Sequence, residues 1–483
     1  MELALGLGVL ALVLMACALA SGIVERVPIS FPMIFIGLGF ALGPLGIGLL
    51  RLTPDNQVLH VVAVLTLSLV LFLDAVNLER AQERHDLLVP LLTLGPGTLL
   101  VIGVTMVASM LLLRLPVGLA LLLAAILAPA DPVVLRDVTQ DVRLPTVVRR
   151  ALSIEAGAND AVVLPIVLVM LAVLGHHLGG ATDWAAFLFK LLLLGPACGF
   201  VIGGVGAWLM TQADSRFGIR HEFQSLYGIG LVLAAYAAGA TIGVDGFLPA
   251  FAAGVAVTVL NQTLCDCFLE YGEATSLIAM LLSFVLFGAL LSATIGHVPA
   301  AALALAAIVV FVARPATVSL LLARAPNLSW RGRAFIAWFG PRGLTSLLYA
   351  LLVITGGLPQ GVELLAVTGV VVITSVVLHG VSATPLTQWY ASSIARQTQR
   401  EERQSRFGGL LEGGPDDVAR ITPEALAELL RLEEPPLVLD VRTRSQYERD
   451  HVRIPGSVRV LPDQVRDWAA AQPLRRPVVL YCT

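Results

Sequence analysis

The chain has 483 residues, of which 57% are hydrophobic and 13% are charged, and its mean hydropathy is +0.85. A soluble domain of this length does not need so much apolar sequence, so the composition predicts a protein that crosses the membrane many times. The net charge of -3 gives no reason to expect a nucleic-acid partner, and five cysteines, an odd number, argue against a disulfide framework.

Apolar runs long enough to cross a bilayer as helices recur from the N-terminus to about residue 390. The first run, from Glu2 to Ala20, lacks the basic start of a signal peptide, so we interpret it as a spanning helix. The pattern predicts an all-α membrane domain with about thirteen spans. They are 3–21, 31–50, 57–76, 87–112, 117–137, 150–175, 185–211, 223–242, 246–262, 275–295, 298–322, 333–356 and 363–388.

Arginines predict the orientation of these spans, because short cytoplasmic loops are enriched in basic residues. They concentrate in the odd-numbered loops, for example at Arg80 and Arg84 and at Arg149 and Arg150, whereas the even-numbered loops from the sixth onward hold none. We therefore expect a periplasmic N-terminus and a cytoplasmic C-terminus. Lys190 is the only lysine, which is typical of a GC-rich bacterial genome and indicates no more than that. We expect the protein in the bacterial inner membrane.

The fifth and twelfth predicted spans are each interrupted at membrane depth. In the fifth, Pro129 and Pro132 flank Asp131 and remove backbone hydrogen bonds; in the twelfth, the Gly-Pro-Arg-Gly of residues 340–343 does the same. Each is the fifth helix of a six-helix set, helices 1–6 and 8–13, with the seventh as a connector. Broken helices at matching positions predict two inverted repeats whose broken helices cross at a site near the midplane. The alternative is a pair of ordinary proline kinks.

Three polar residues lie close together in the sixth predicted span. A charged residue at the centre of a spanning helix costs about 2.5–3.5 kcal/mol on insertion scales, so it faces protein or water and is commonly functional. Glu155 and Asn159 lie about 40° apart around the helix, whereas Asp160 is turned about 140° from Glu155. For each acid the alternative is a satisfied internal salt bridge. We assign that structural role to Glu155, paired with Arg314 or Arg342.

Asp160 is the candidate functional carboxylate, and it lies beside Asp131 if the sixth helix packs on the broken fifth. An acid in a poorly solvated cavity can hold a proton at low pH and a hard monovalent cation at higher pH. The same oxygens cannot bind both at once. This competition gives obligatory exchange of a proton for a cation, provided that the site opens to one side of the membrane at a time.

Together these motifs resemble the cation–proton antiporter-1 family, which includes the NhaP-type bacterial sodium/proton antiporters and the eukaryotic sodium/proton exchangers. The resemblance covers about residues 1–390 and implies a homodimer in which a core bundle moves against a dimerisation scaffold like an elevator. Its four motifs are Asp-Pro at 131–132, Glu-x-x-x-Asn-Asp at 155–160, Ala-Arg-Pro at 313–315 and Gly-x-Arg-Gly at 340–343.

The resemblance implies that Asp160 binds the transported ion or the proton, and that Asn159 belongs to the same ion-binding site, as the neighbour that marks an electroneutral exchanger. It places Asp131 at the helix break as a further part of the ion site. The transported ion is then the only metal, and no cofactor is expected. Two other residues receive ordinary interpretations. Asp74 is interpreted as a solvated or capping residue, with a place in the cytoplasmic funnel as the alternative, and His379 as a packing residue, with a pH sensor as the alternative.

The resemblance also implies a structural ion pair between Glu155 and Arg314, with Arg342 offsetting the dipole ends of the crossed helices. The sequence departs from the family at Ala130 and Ala156, where many members have Thr and Ser whose oxygens coordinate the ion. Fewer hydroxyl ligands weaken the case for a small, hard cation. We still expect Na+ as the transported ion. The missing hydroxyls make K+ the alternative, and Li+ is a further candidate.

The composition changes abruptly after the last span, so residues 391–416 predict a linker and residues 417–483 a separate α/β domain. A predicted buried strand at 437–442 that ends in Asp-Val-Arg, the segment 451–457 and a strand ending at Cys482 resemble a rhodanese domain, where that cysteine carries a persulfide. The sequence ends one residue later, before the loop that stabilises the thiolate, so we expect a partial domain without sulfurtransferase activity. A membrane-tethered sulfurtransferase is the alternative from another class; a channel is disfavoured because no charge ring or filter motif appears.

Overall fold

The computed structural model describes residues 30–80, 88–141, 143–175, 180–260, 262–323, 325 and 328–396, and a few single residues before residue 30. In the C-terminal part it describes residues 426–427, 429–431, 435–441, 453–460, 468 and 478–481. The first predicted span, most of the predicted linker and Cys482 lie outside the described residues. The chain divides into two compact units, Met1–Arg406 and Phe407–Thr483.

The secondary structure in the described part of the first unit is helical. Eight of its helices are long and apolar enough to cross a membrane, and four shorter apolar helices accompany them. This confirms a mostly helical protein that crosses the membrane several times. In chain order the helices are α1 (Phe31–Leu42), α2 (Gln57–Arg80), α3 (Leu88–Leu113), α4 (Val117–Ile126), α5 (Pro132–Gln140), α6 (Thr146–Leu174), α7 (Ala181–Phe217), α8 (His221–Thr241), α9 (Phe247–Leu260), α10 (Gln262–Thr294), α11 (Ala302–Leu322), α12 (Trp330–Trp338), α13 (Leu344–Thr355) and α14 (Gly361–Arg396).

Both predicted interruptions are present as breaks in the helices. The fifth predicted span consists of α4 and α5, and the twelfth consists of α12 and α13, with extended backbone between the two members of each pair. Pro132 is the first residue of α5, a position where proline loses no helical hydrogen bond. The two extended stretches cross, because the amide of Asp131 donates to the carbonyl oxygen of Pro341 at 2.7 Å.

Helices α2, α7, α8 and α9 share a small apolar core of their own, which includes Phe72, Ala207, Val232 and Val257. A larger core joins most of the other membrane helices and also includes residues of α2, α7 and α9, with Phe284, Leu347 and Val371 among its buried members. Helix α12 packs in a third core through Phe335 and Ile336. Helix α6 contributes to that larger core through Val163, Leu164 and Val167. The helix with the predicted site therefore packs chiefly with the group that contains the broken helices.

The second unit contains a three-stranded parallel sheet in the order β2-β1-β3, with β1 (Leu437–Asp440), β2 (Val458–Arg459) and β3 (Val478–Tyr481). Leu439 pairs with Val458 on one side and with Leu480 on the other. The sequence predicted β1 and β3 but not β2, which is only two residues long. A parallel sheet with a buried central strand is typical of the α/β class.

Candidate functional site

The starts of α5 and α13 meet at one carboxylate, that of Asp131. Its Oδ1 accepts a hydrogen bond from the amide of Val133 at 2.8 Å, and its Oδ2 accepts one from the amide of Leu344 at 2.9 Å. The first amides of a helix have no partner within the helix and carry its positive dipole end. Asp131 therefore caps both helices at once. Gly343 makes this approach possible, since a Cβ there would overlap the Asp131 carboxylate.

Two buried arginines face the opposite ends of the broken helices. Arg342 donates from Nη1 to the carbonyl oxygen of Ala128, just after α4. Arg314 donates from Nη2 to the carbonyl oxygens of Ile336 at 3.1 Å and Phe339 at 2.9 Å, at the end of α12. The last carbonyls of a helix carry its negative dipole end, so a guanidinium group stabilises each of them.

His379 of α14 also contacts the end of α12. Its Nε2 lies 3.0 Å from the carbonyl oxygen of Trp338, and its Nδ1 lies 2.8 Å from the carbonyl oxygen of Ser375. The imidazole and the Trp338 ring pack with their centres 5.3 Å apart. These contacts tie α14 to the broken helix, so the residue has a packing environment with partners for both ring nitrogens.

Glu155 of α6 forms a two-pronged ion pair with Arg314. Arg314 donates from Nη1 to Oε1 and from Nη2 to Oε2, the second at 3.0 Å, and both side chains are buried. Of the two arginines that the sequence offered, the structure therefore pairs Glu155 with Arg314. A Cβ at residue 340 would overlap this guanidinium group, so glycine is needed there too. Such paired charge-assisted bonds fix geometry as well as charge.

Asn159 has a partner that the sequence did not indicate. The hydroxyl of Thr98 in α3 donates to its Oδ1 at 3.0 Å. Thr98 directly follows a π-helical turn, Thr93–Gly97, and Arg314 directly follows another, Val309–Ala313. A π turn inserts an extra residue into a helix and so rotates the residues on its C-terminal side. Thr98 and Arg314, the residues placed in this way, contact Asn159 and Glu155 on the polar face of α6.

Asp160 has the least firmly held carboxylate of the predicted site. It is 1% exposed, and two hydroxyls of α13 contact it, Thr345 at 3.2 Å from Oδ2 and Tyr349 at 3.4 Å from Oδ1. Within the described residues, the ion pairs that the structure shows do not include Asp160. Leu344 binds Asp131 and the next residue binds Asp160, so α13 brings the two predicted acids to the same helical turn.

Asp74 of α2 is a buried acid beside this site. It is 5% exposed, lies in the interior of α2 and has no hydrogen-bond partner for Oδ2 within the described part of the chain. The prediction of a solvated or capping residue was wrong, because α2 packs here against α6: a Cβ at Gly157 would lie 3.7 Å from the Asp74 carbonyl oxygen. Its carboxylate lies close enough to those of Asp160 and Asp131 for their negative charges to repel one another.

Two buried carboxylates of this site, Asp160 and Asp74, are not held by an ion pair or by amides on both oxygens in the described part of the chain, so a proton or a single cation can neutralise them. Among the described residues, no three His, Cys, Asp or Glu side chains are grouped as metal ligands. Asp131 uses both carboxylate oxygens on backbone amides, and Glu155 uses both on Arg314. A monovalent ion at Asp160 therefore depends on neutral oxygens for the rest of its coordination.

Comparison with known proteins gives two family matches. The model of the transmembrane sodium/hydrogen exchanger matches residues 10–389, and the model of the rhodanese-like domain matches residues 422–483.

Two curated relatives have names of potassium/proton antiporters. The K(+)/H(+) antiporter NhaP of Alkalimonas amylolytica is 26% identical over 400 residues, covering 81% of this chain and 67% of the relative. The K(+)/H(+) antiporter NhaP2 of Shewanella sp. (strain MR-4) is 26% identical over 376 residues, covering 77% of this chain and 65% of the relative. The chain thus spans about two thirds of the length of these relatives.

The solved structure of the sodium proton antiporter MjNhaP1 from Methanocaldococcus jannaschii at pH 8 is similar in fold. It superposes with a TM-score of 0.67 at 20% sequence identity, covering 81% of this chain and 100% of that one.

Proposed function

This chain belongs to the sodium/hydrogen exchanger family of cation/proton antiporters, and we propose that it exchanges Na+ for H+ across a bacterial inner membrane. The observation that carries the proposal is the state of Asp160, a buried carboxylate held by two hydroxyls. A buried acid without a compensating charge needs a proton or a cation, and it can take only one of them at a time.

Exchange is then a consequence of the residues of the site. With the site open to one side, a cation approaches Asp160 and the carboxyl group releases its proton to that side. After the site opens to the other side, the cation leaves and a proton takes its place. Neither Asp131 nor Glu155 changes partner in this cycle, because backbone amides and Arg314 hold them. One acid exchanging one ion for one proton gives an electroneutral exchanger, with Asn159 as its uncharged neighbour.

Two groups of helices support the proposal that the site opens alternately. Helices α2, α7, α8 and α9 share one small core, whereas α6 packs with the broken helices; Leu71 of α2 and Phe247 of α9 also belong to the larger core, so the two groups meet there. An apolar cavity of about 640 Å³ lies between α6 and helices α7 and α9, lined by side chains that include Ala161, Pro165, Phe200 and Phe251. Loose apolar packing at this boundary suits a bundle that moves as a unit against a fixed scaffold.

The described residues contain three π turns: one, Lys190–Leu194, lies in α7, the predicted connector, and the other two support two inverted repeats. These two turns lie in α3 and α11, which are the fourth predicted span of each six-helix set, just as the breaks lie in the fifth. We propose thirteen spans on this basis, with the N-terminus in the periplasm and the C-terminus in the cytoplasm. The site then lies near the midplane, where the broken helices cross.

We also propose a homodimer, formed through α7. Only 17% of the most apolar stretch of α7 is buried within one protomer, against 67% for α2. Its outward side chains are apolar and large, including Phe200, Val201 and Trp208. The lipid bilayer or a second copy of the chain can cover such a face.

The proposed domains are residues 1–390 for exchange, 391–416 as a linker and 417–483 as the rhodanese-like domain. In the second unit, the Tyr481 hydroxyl donates to Asp440 Oδ2 at 2.8 Å, joining two neighbouring strands. Since the described residues exclude Cys482, the absence of sulfurtransferase activity stays a prediction.

Potassium is the second candidate for the transported ion. The names of the relatives from Alkalimonas and Shewanella refer to K+/H+ antiport, and the missing hydroxyls at Ala130 and Ala156 favour a larger ion. The Na+ proposal is supported by the family match.

Everted membrane vesicles with a pH-sensitive dye test the function. Adding Na+ to acidified vesicles should restore fluorescence with the natural chain and not with Asp160→Asn, which keeps the shape and loses the charge. Parallel additions of K+ and Li+ rank the ions. Fluorescence recovery that Asp160→Asn leaves intact would exclude Asp160 as the exchange site, and cyanide-dependent thiocyanate production would support the sulfurtransferase instead.

A further inference from the structure

Thr345 and Tyr349 lie one turn apart on α13 and both turn their hydroxyls toward Asp160. We propose that these hydroxyls are neutral oxygen ligands of the transported cation and that they set which monovalent cation the site accepts. The proposal rests on the proposed function of Asp160 and goes beyond it, because it names ligands of the cation other than the Asp160 carboxylate.

The ion needs neutral ligands because the other carboxylate oxygens at the crossing, those of Asp131, already accept hydrogen bonds from backbone amides. A cation that leaves water must replace its hydration shell with protein oxygens, as carbonyl groups do in channel filters. Each oxygen of Asp131 already accepts one backbone amide bond, so Asp131 offers the ion only its remaining lone pairs. Ala130 and Ala156 offer no side-chain oxygen. Within the described residues, the side-chain hydroxyls that the structure places on Asp160 are those of Thr345 and Tyr349.

A hydroxyl suits both states of the exchange cycle, because it has one proton to donate and two lone pairs to offer. Without a cation, Thr345 and Tyr349 donate to the carboxylate. With a cation, rotation about the C–O bond turns a lone pair to the ion while Asp160 supplies the charge. When Asp160 is protonated, its own O–H can donate to either hydroxyl. No charged group has to move in any of these states.

The distances agree with ligands that are only loosely engaged. Hydroxyl hydrogen bonds are most often about 2.7–2.8 Å long, whereas those to Asp160 are 3.2 and 3.4 Å. Little hydrogen-bond energy is therefore lost when an ion comes between the groups. Tyr349 is fully buried, and the Leu344 amide ties the first turn of α13 to Asp131. The hydroxyls thus have a defined spacing from Asp160, and a defined spacing is what discriminates ions by size.

The assignment differs from the usual behaviour of hydroxyls in this protein. Thr258, Thr317 and Thr374 each donate to the carbonyl oxygen four residues earlier in their own helix, at 2.7, 2.6 and 2.8 Å. Such bonds leave the hydroxyl satisfied within the helix. Thr345 instead reaches across to α6.

Purified protein in liposomes, with proton release followed at fixed pH against Na+, K+ and Li+ concentration, tests the proposal. Thr345→Val keeps the shape and removes the hydroxyl, Thr345→Ser keeps the hydroxyl, and Tyr349→Phe removes only the phenolic oxygen. We expect Thr345→Val and Tyr349→Phe each to raise the half-saturating concentration of the preferred cation about tenfold, and to change the ratio between cations. Thr345→Ser should raise the half-saturating concentration less than Thr345→Val does, because serine keeps an oxygen within reach of the ion.

A positioning role for the hydroxyls gives a different result: the maximal rate falls while the half-saturating concentrations and their ratio stay unchanged, and this would overturn the proposal. Size-exclusion profiles in detergent check folding, and Thr345→Ala replaces any valine variant that aggregates. In a Thr345→Val background, Ala156→Ser places a hydroxyl one turn before Asp160 and should recover part of the affinity. A natural chain that moves no protons on cation addition would overturn the proposed function itself, whereas normal exchange with unchanged affinities in the variants overturns only the ligand assignment.

Discussion

Helix α6 holds two buried acids, Glu155 and Asp160, whose surroundings differ in how firmly each carboxylate is bound. Both oxygens of Glu155 bond to Arg314, and that guanidinium also bonds to backbone carbonyls of α12. Asp160 has two long hydroxyl contacts and no arginine partner in the structure as described. A carboxylate with its charge compensated is a structural element, whereas one without compensation remains available for ions. Glu155 therefore belongs to the fixed framework of the site, whereas Asp160 belongs to the part that binds and releases ions during exchange.

Removing the guanidinium from the firmly held pair should have the largest effect on stability. Arg314→Met leaves Glu155 buried and unpaired, and breaking a buried pair in this way costs about 3–5 kcal/mol. We expect a large loss of folded protein, measured by thermal unfolding in detergent. The double variant Glu155→Gln/Arg314→Met should recover part of the loss, because no uncompensated charge is left. Asp160→Asn is the matched control on the same helix, and a similar instability in that variant would remove the contrast between the two acids.

Weakening the cap at the crossing should have an intermediate effect. Asp131→Asn keeps one acceptor oxygen for Val133 or Leu344 but cannot serve both amides as a charged acceptor. Loss of a helix cap costs about 1–2 kcal/mol, so we expect a lower unfolding temperature and slower exchange with unchanged cation affinity. An affinity change larger than the stability change would instead place Asp131 among the ion ligands.

Asp74 extends the comparison to a third buried acid. Its Oδ2 has no hydrogen-bond partner in the described part of the chain, so it resembles Asp160 more than Glu155. We expect Asp74→Asn to fold normally and to raise the half-saturating cation concentration about tenfold, because one nearby negative charge is lost. Flux measurements in proteoliposomes provide the check. Unchanged affinity together with lower stability would make Asp74 a structural residue.

An exposed pair should show the smallest effect. Arg143 and Asp141 lie in the connection between α5 and α6, where Arg143 holds the pKa of the Asp141 carboxyl below its usual value through a hydrogen bond of 2.7 Å. Exposed pairs contribute less than about 1 kcal/mol. Arg143→Gln should therefore leave exchange within about twofold of the natural chain and shift the unfolding temperature only slightly. A loss of folded protein as large as that of Arg314→Met would show that burial does not explain why the two ion pairs differ in their effect on stability.

The sequence is sufficient to predict features that depend on the backbone. Proline has no amide proton, and Pro129, Pro132 and Pro341 predict the helix breaks because they are grouped with a second proline or with glycines. The lone prolines Pro165 and Pro385 lie inside continuous helices. Long apolar runs likewise predict spans without any knowledge of neighbours. Intramembrane charges such as Glu155 and Asp160 are also visible, because their cost in lipid requires a partner or a function.

Features that depend on packing are not visible in the same way. The sequence left Glu155 with two possible arginines, since either could reach it until the orientation of α11 and α12 was known. Thr345 and Tyr349 have the four-residue spacing of one helix face, but a threonine hydroxyl in an apolar helix can bond to its own backbone, as Thr317 does, and the spacing does not show which helix the Tyr349 ring faces. Only the contact between α13 and α6 shows which hydroxyls face the acid.

Competition between the two ions at Asp160 is tested most directly by the half-saturating Na+ concentration for exchange, measured in proteoliposomes at a series of pH values. If one carboxylate binds either ion, that concentration should rise about tenfold for each pH unit below the pKa of the Asp160 carboxyl. The maximal rate at saturating Na+ should stay constant. A half-saturating concentration that is the same at every pH, with only the maximal rate changing, would show that proton and cation bind at different groups.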